Sequence, residues 1–310
     1  MKTITVIDTS FGTWNLGDEI IMQAVNDVIH EMFPDARVFR LPSHEALSRR
    51  SYYFLRQSDL CFIGGTNVLA SRGWRLRWRD SIFLRNAICF GVTWGGTRPT
   101  PSLSERILLR RVLDGSQIHS VRDRYTQHLL DKIGLACVST SCPTMWRLTP
   151  QHCDSIPQRK ADEVVVTLTA YRCEPSADRE MIGSLKRNYR FVHFFPQMHG
   201  DYAYFKELNI DGVRMIGQNL TAYDHFLMNE DVDYIGSRLH GGIRALQFKK
   251  RSLVIGIDHR SAEIANDTGL PILKRAQIKE LDSWIHGSSP TRITLPSESI
   301  TNWKANLQMH

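Results

Sequence analysis

Short runs rich in Val and Ile alternate along this chain with longer stretches in which apolar residues recur every three or four positions. The short runs predict strands at Ile4–Asp8, Arg37–Leu41, Leu60–Ile63, Ala87–Thr93 and Ile118–Val121. The clearest helical stretch is Asp18–Met32. There Ile20, Ile21, Ala24, Val25, Val28, Ile29 and Met32 share one face, and Pro34 follows as a stop. Helices are also predicted over Leu103–Leu113 and Asp123–Ile133. The second half repeats the scheme. Its strands are expected at Glu163–Leu168, Phe191–Phe195, Val213–Ile216, Tyr234–Gly236 and Ser252–Ile257, and its helices at Asp178–Lys186, Tyr223–Met228, Gly241–Phe248 and Ala262–Asp267. Strand–helix–strand alternation lays successive strands parallel with helices over both faces, so the pattern predicts an α/β protein of doubly wound sheets.

The periodicity lapses over Thr149–Asp162, a polar stretch with Pro150 and Pro157. At 310 residues the chain suits two domains of roughly 150 residues each. The lapse divides it into domains 1–150 and 163–310 with a linker at 151–162. Two Rossmann-like domains facing a cleft take their ligands at strand C-terminal ends. A composition of 42% hydrophobic and 23% charged residues is that of a globular protein. No apolar run approaches the ~20 residues of a membrane span. The first residues alternate like a strand and lack the apolar core of a signal peptide, so a cytoplasmic location is expected. None of the six cysteines forms a C-x-x-C pair, and reduced thiols are expected. A net charge of +7 admits nucleic acid, an anionic membrane surface or a phosphorylated substrate. No zinc-finger or RNA-binding aromatic signature is present, which places nucleic acid last of the three. The histidines show no metal-ligand spacing, so no metal is expected.

Six segments carry candidate chemistry. Thr13–Glu19 follows the first strand and opens a helix. Gly17 permits a tight turn, Asp18 is expected as N-cap, and the helix terminus offers N–H groups to an anion. Asn15 and Asp18 shaping the turn and nothing more is the alternative. Its glycines do not fit G-x-G-x-x-G. Ile63–Leu69 runs a buried strand into Gly64, Gly65 and Thr66, which suits either close approach to a ligand or a plain turn. Phe90–Gly96 is a second glycine-rich exit. Ser120–Arg124 delivers Arg122 to a strand end, where it forks onto a carboxylate or phosphate or pairs with an acid such as Asp123. Asp233–Gly242 ends a strand at Gly236 and sets Ser237, Arg238 and His240 on its exit. An extended link there points Arg238 and His240 the same way, a fixed cation beside a group that titrates near neutrality. Trp74–Arg85 interleaves Trp and Arg, as at a membrane interface, a sugar platform, an anion site, or on a solvated basic helix with its aromatic side buried.

Taken in order, Asn15-Leu16-Gly17-Asp18-Glu19, the strand into Gly64-Gly65, Val121-Arg122-Asp123 and Ser237-Arg238-Leu239-His240-Gly241 resemble the motifs of polysaccharide pyruvyl transferases. The chain departs from that pattern in Thr66, where a third glycine is usual, and in Cys142-Pro143, where aspartate-proline is usual. The resemblance implies a GT-B-like fold and transfer of the pyruvyl group of phosphoenolpyruvate onto two hydroxyls of a sugar as a ketal. It implies a donor bound by the C-terminal domain through Ser237, Arg238 and Gly241, with Arg122 of the N-terminal domain also on the donor, and catalysis by His240, Arg238 and Asp18, His240 being the acid–base residue. Asp18, with Asn15, Gly64, Gly65 and Thr66, would line the acceptor side. Phosphoenolpyruvate is then a co-substrate, and no cofactor or metal is required. The acceptor would be a sugar of an exopolysaccharide or capsule precursor, lipid-linked in one version, with peripheral contact at the inner membrane face. A nucleotide-sugar glycosyltransferase of the same fold and a non-catalytic glycan- or anion-binding relative are the alternatives. The first wants an acid on a C-terminal strand exit, whereas Glu230 and Asp231 precede their strand.

Overall fold

In the computed structural model, residues 1–65, 68, 69, 74–95 and 100–308 are described. They form two compact units. One comprises Met1–Thr13, Ile21–Thr144 and Leu295–His310, the other Trp14–Ile20 and Met145–Thr294. These bounds differ from the expected division at 151–162. The polar stretch holds a short helix, capped where the Thr149 hydroxyl accepts the His152 N–H at 3.3 Å. Pro150 opens that helix at a position that lacks a free N–H partner anyway.

In the first unit β1 (Thr3–Asp8), β2 (Arg37–Pro42), β3 (Leu60–Gly64) and β4 (Ala87–Phe90) form a parallel sheet in the order β2-β1-β3-β4. β5 (His119–Val121) and β6 (Cys137–Ser139) pair in parallel beside it, with Val92 bridging to Val121. The predicted strand Ala87–Thr93 ends early because Gly91 takes a positive φ of 62°. A side chain there would strike Pro143. The helices are α1 (Leu16–Met32), α2 (Arg49–Gln57), α3 (Leu103–Val112) and α4 (Arg124–Lys132). α1 spans the predicted amphipathic stretch and buries Ile20, Ile21, Val25, Val28 and Ile29. Its first turn is counted with the second unit.

The second unit opens with α5 (Pro150–Asp154) and continues β7 (Glu163–Thr167), α6 (Pro175–Asn188), β8 (Phe191–Phe194), α7 (His199–Glu207), β9 (Val213–Met215), α8 (Leu220–Asn229) and β10 (Val232–Gly236). There follow α9 (Leu239–Gln247), β11 (Ser252–Gly256), α10 (His259–Thr268), β12 (Ile272–Lys274) and α11 (Leu281–His286). Its six strands lie in the order β12-β11-β10-β7-β8-β9, all parallel. β7 is therefore neighbour to β10, and the chain leaves these two strands toward opposite edges of the sheet. Doubly wound sheets take their ligands at the C-terminal ends of strands that diverge in this way. Valines 164, 165 and 166 are buried on both faces, as a central parallel strand requires. The last helix, α12 (Ser297–Gln308), returns to the first unit.

Candidate active site

The exit of β10 is built around its neighbour β7. A side chain at Gly236 would strike the Thr167 backbone and hydroxyl, so glycine lets the two strand ends lie close. The Ser237 N–H donates to the Thr167 carbonyl at 3.0 Å, and its hydroxyl lies 2.9 Å from that of Thr169. Buried Tyr234 bridges the turn. Its hydroxyl is 2.6 Å from the Thr167 hydroxyl and donates to the Arg238 carbonyl at 2.6 Å. Burial pushes the Tyr234 phenol above its ordinary range, so it stays a donor. Ser237 is therefore tied to the protein by both its N–H and its hydroxyl.

Arg238 is the N-cap of α9 and is only 4% exposed. Its Nε donates to Asp201 Oδ2 at 2.9 Å and to the Leu168 carbonyl at 3.1 Å, and its Nη2 donates to Asp201 Oδ1. Asp201, fully buried in the first turn of α7, also accepts the N–H groups of Ala170 at 3.1 Å and Met198 at 2.8 Å. The Tyr171 ring lies 5.0 Å from the Arg238 guanidinium carbon. This corrects the picture of Arg238 and His240 side by side on an extended link. Leu239 is already helical, so His240 sits in the first turn of α9, 9% exposed. The Arg238–Asp201 pair is electrically neutral as a unit, so its charge does little to attract an anion. What remains are Nη1, which makes no hydrogen bond among the described residues, and the start of α9, where the Arg238 side chain does not act as a cap. A helix N-terminus favours an anion.

The N-x-G-D segment belongs to the same unit. Its expected N-cap is corrected: α1 starts at Leu16, and the Asn15 carbonyl and side-chain oxygen accept from Asp18 at 2.9 Å and Gly17 at 3.1 Å. Asp18 lies in the first turn of α1, with Asn15 Nδ2 3.5 Å from its carboxylate. Burial raises the Glu19 carboxyl beside it. The Leu16 N–H donates to the Gln197 carbonyl at 3.0 Å, and Gln197 Nε2 donates to Asn15 Oδ1 at 3.1 Å. The Gln197 amide lies between two motif glycines. A side chain at Gly17 would come within 2.8 Å of Nε2, and one at Gly241 within 3.0 Å of Oε1. Tyr223 fixes the other side of that turn by donating to the Gly241 carbonyl at 3.0 Å. Gln197, Asp201 and Tyr171 escaped the sequence reading. Gln197 and Asp201 flank a helix start that His199-Gly200 gave no periodic signal for.

Arg122, Gly64 and Gly65 belong to the first unit, and Thr66 lies outside the described residues. Arg122 is 7% exposed, and its guanidinium has no partner among the described residues. Asp123 instead caps α4, accepting the Thr126 N–H at 2.7 Å. A buried guanidinium without a counter-charge is costly to keep and recovers that cost when an anion binds. Gly64 and Gly65 are explained by packing. A side chain at Gly64 would strike Met22 of α1, and Gly65, at φ 109°, faces Thr9. Among the described residues no three His, Cys, Asp or Glu groups come together to hold a metal.

The two parallel sheets, with the strand order diverging at β7–β10, belong to an α/β fold of the GT-B type. Solved structures that share it include UDP-GlcNAc 2-epimerase of Methanocaldococcus jannaschii, 10% identical over 100% of this chain and 98% of that one, with a TM-score of 0.57. S. aureus MnaA, solved with UDP, is 13% identical over 94% of this chain and 92% of that one, with a TM-score of 0.53. No curated protein matches the chain significantly. Residues 15–259 match the polysaccharide pyruvyl transferase family, and the chain belongs to that family.

Proposed function

We propose that the protein moves the pyruvyl group of phosphoenolpyruvate onto two hydroxyls of one sugar, free in a polysaccharide or carried on a lipid-linked precursor. The observation that carries this reading is His240 in the first turn of α9, directly after β10, where β7 and β10 diverge. In the reaction, His240 gives a proton to the methylene carbon, and positive charge develops at the adjacent carbon. A sugar hydroxyl adds there and loses its proton. The second hydroxyl then closes the ketal as the carbon–oxygen bond to phosphate breaks, and its proton leaves with the phosphate. One group must therefore donate and later accept a proton, the work of a histidine near neutrality.

The phosphate, a dense anion, suits the α9 N-terminus and Arg238 Nη1. Arg122 is assigned to an anionic group because its buried guanidinium has no counter-charge among the described residues, whereas Arg238 is paired with Asp201. Asp18 and Asn15 are assigned to the acceptor hydroxyls. The scheme draws on no cofactor or metal. A nucleotide-sugar transferase is the alternative reading; Asp258, the acid that follows β11, accepts the Ser261 N–H at 3.2 Å as the N-cap of α10, and Glu230 and Asp231 precede β10.

Incubation with phosphoenolpyruvate and candidate sugars, followed by mass spectrometry, should show a gain of one pyruvate ketal with release of one phosphate. His240→Ala should lower turnover by about 10²–10⁴-fold and still bind phosphoenolpyruvate. Turnover near that of the wild type would remove His240 from the chemistry. Arg122→Ala should weaken phosphoenolpyruvate binding more than it lowers turnover at saturation, read as a rise in KM with a smaller change in kcat.

A further inference from the structure

The segment Trp74–Arg85 is not the helix that one reading of its pattern allows. Trp74 is buried, and Arg77 is held by Asp80 at 3.0 Å, in a cluster that Tyr52 closes by donating to Asp80 at 2.6 Å. Only Trp78–Ile82 is helical, as a 3-10 turn, and it turns Trp78 and Ile82 outward. α3 lies alongside this turn. It buries Leu109 and Val112 and leaves Leu103, Arg106, Ile107 and Arg110 exposed. Those four are spaced i, i+3, i+4 and i+7, one stripe on the outward side of the helix. Trp78, Ile82, Leu103 and Ile107 are 44–74% exposed, which is high for four large apolar side chains on adjoining elements.

The charges around them have one sign. Arg75, Arg79, Arg85, Arg106, Arg110 and Arg111 are exposed on the same two segments. The acids there are spent internally. Asp80 is buried in its arginine and tyrosine cluster, and Glu105 closes the capping box of α3. A second copy of the chain docked symmetrically on this face would set arginine against arginine, which disfavours self-association. Large apolar tips between arginines suit an interface where the tips enter an acyl boundary and the guanidinium groups stay with phosphates.

The geometry points to α3 and the Trp78–Ile82 turn as a surface that seats the first unit on an anionic lipid bilayer. Partitioning takes its strength from the apolar tips and its lipid preference from the arginines. The surface is independent of the reaction proposed above, so either stands if the other fails.

Flotation of the full chain with phosphatidylcholine vesicles, with and without phosphatidylglycerol, tests it. The wild type is expected to float with the anionic vesicles, to stay behind with phosphatidylcholine alone, and to be released by high salt. The pair Trp78→Ser and Leu103→Ser is expected to lower partitioning at least about tenfold, the loss from two exposed apolar anchors. Arg75→Gln, Arg79→Gln and Arg110→Gln are each expected to lower it about fivefold. An unchanged thermal midpoint in these surface variants checks that each is folded. Equal flotation of wild type and variants overturns the proposal, as does binding that ignores phosphatidylglycerol and salt. Capture on immobilised polyglutamate without flotation on any vesicle also overturns it and assigns the face to an acidic protein.

Discussion

At the residue scale, Gln197 explains why two motif positions are glycine. Its amide presses on Gly17, with the closest approach 2.8 Å from where a side chain would begin. Gly17→Ala should therefore cost about 1–3 kcal/mol through overpacking. In a Gln197→Ala background the same change should cost less, with a coupling of about 0.5–3 kcal/mol measured by urea unfolding. Additive effects would show that the amide is not what excludes a side chain. His119 makes a second prediction. It is fully buried in β5, its Nδ1 accepts the Cys89 N–H at 3.2 Å, and its Nε2 has no hydrogen-bond partner among the described residues. Burial pulls its pKa from the ordinary 6.5 down to about 4, against a smaller opposing pull from Asp114. Between those values the unfolded chain takes up a proton that the folded protein refuses. The contribution is thus complete above pH 6.5, falls as the pH drops, and levels off below about 4, for a total of about 3 kcal/mol. His119→Gln should remove that part of the slope, read as the wild-type minus variant difference in urea midpoint across the window.

At the scale of elements, α9 and α12 show two ways in which pattern reading succeeds and fails. α9 was legible because Ser237–Gly242 joins a hydrophobic strand to a helix through glycines. Its start and the fate of Arg238 were not, since Asp201 is 37 residues away in sequence and the ion pair exists only once the first turn of α7 meets the exit of β10. α12 was invisible because it is mostly polar, with Trp303 and Leu307 as its buried anchors. Trp303 is 1% exposed, donates from its indole to the Ile118 carbonyl at 2.8 Å, and stands 4.6 Å from the Phe90 ring. Trp303→Ala should lower the stability of the first unit by about 3–5 kcal/mol in chemical denaturation. A cost under 1 kcal/mol would mean that α12 is an ornament on that unit.

At the scale of the whole molecule, the first unit is made from both ends of the chain. A fragment 1–150, cut where composition suggests, lacks α12 and should bare Phe90 and its neighbours. It is expected to bind a hydrophobic dye and unfold at a lower midpoint than the same fragment supplied with residues 295–310 through a linker. Equal midpoints would show that the terminal helix adds nothing. No helix among the described residues is long and apolar enough to cross a membrane. The sequence by itself determined the alternation of strands and helices, the parallel sheets, and the strand exits at Arg122 and Ser237. These are local properties, because period, glycine placement and helix stops are written in neighbouring residues. Only the tertiary structure decided which chain segments share a unit, that Arg238 is neutralised by Asp201 while Arg122 has no partner among the described residues, and that Gln197 spaces the two glycine turns. Those depend on contacts between residues far apart in sequence, and no local pattern encodes which distant acid or amide will meet a given side chain.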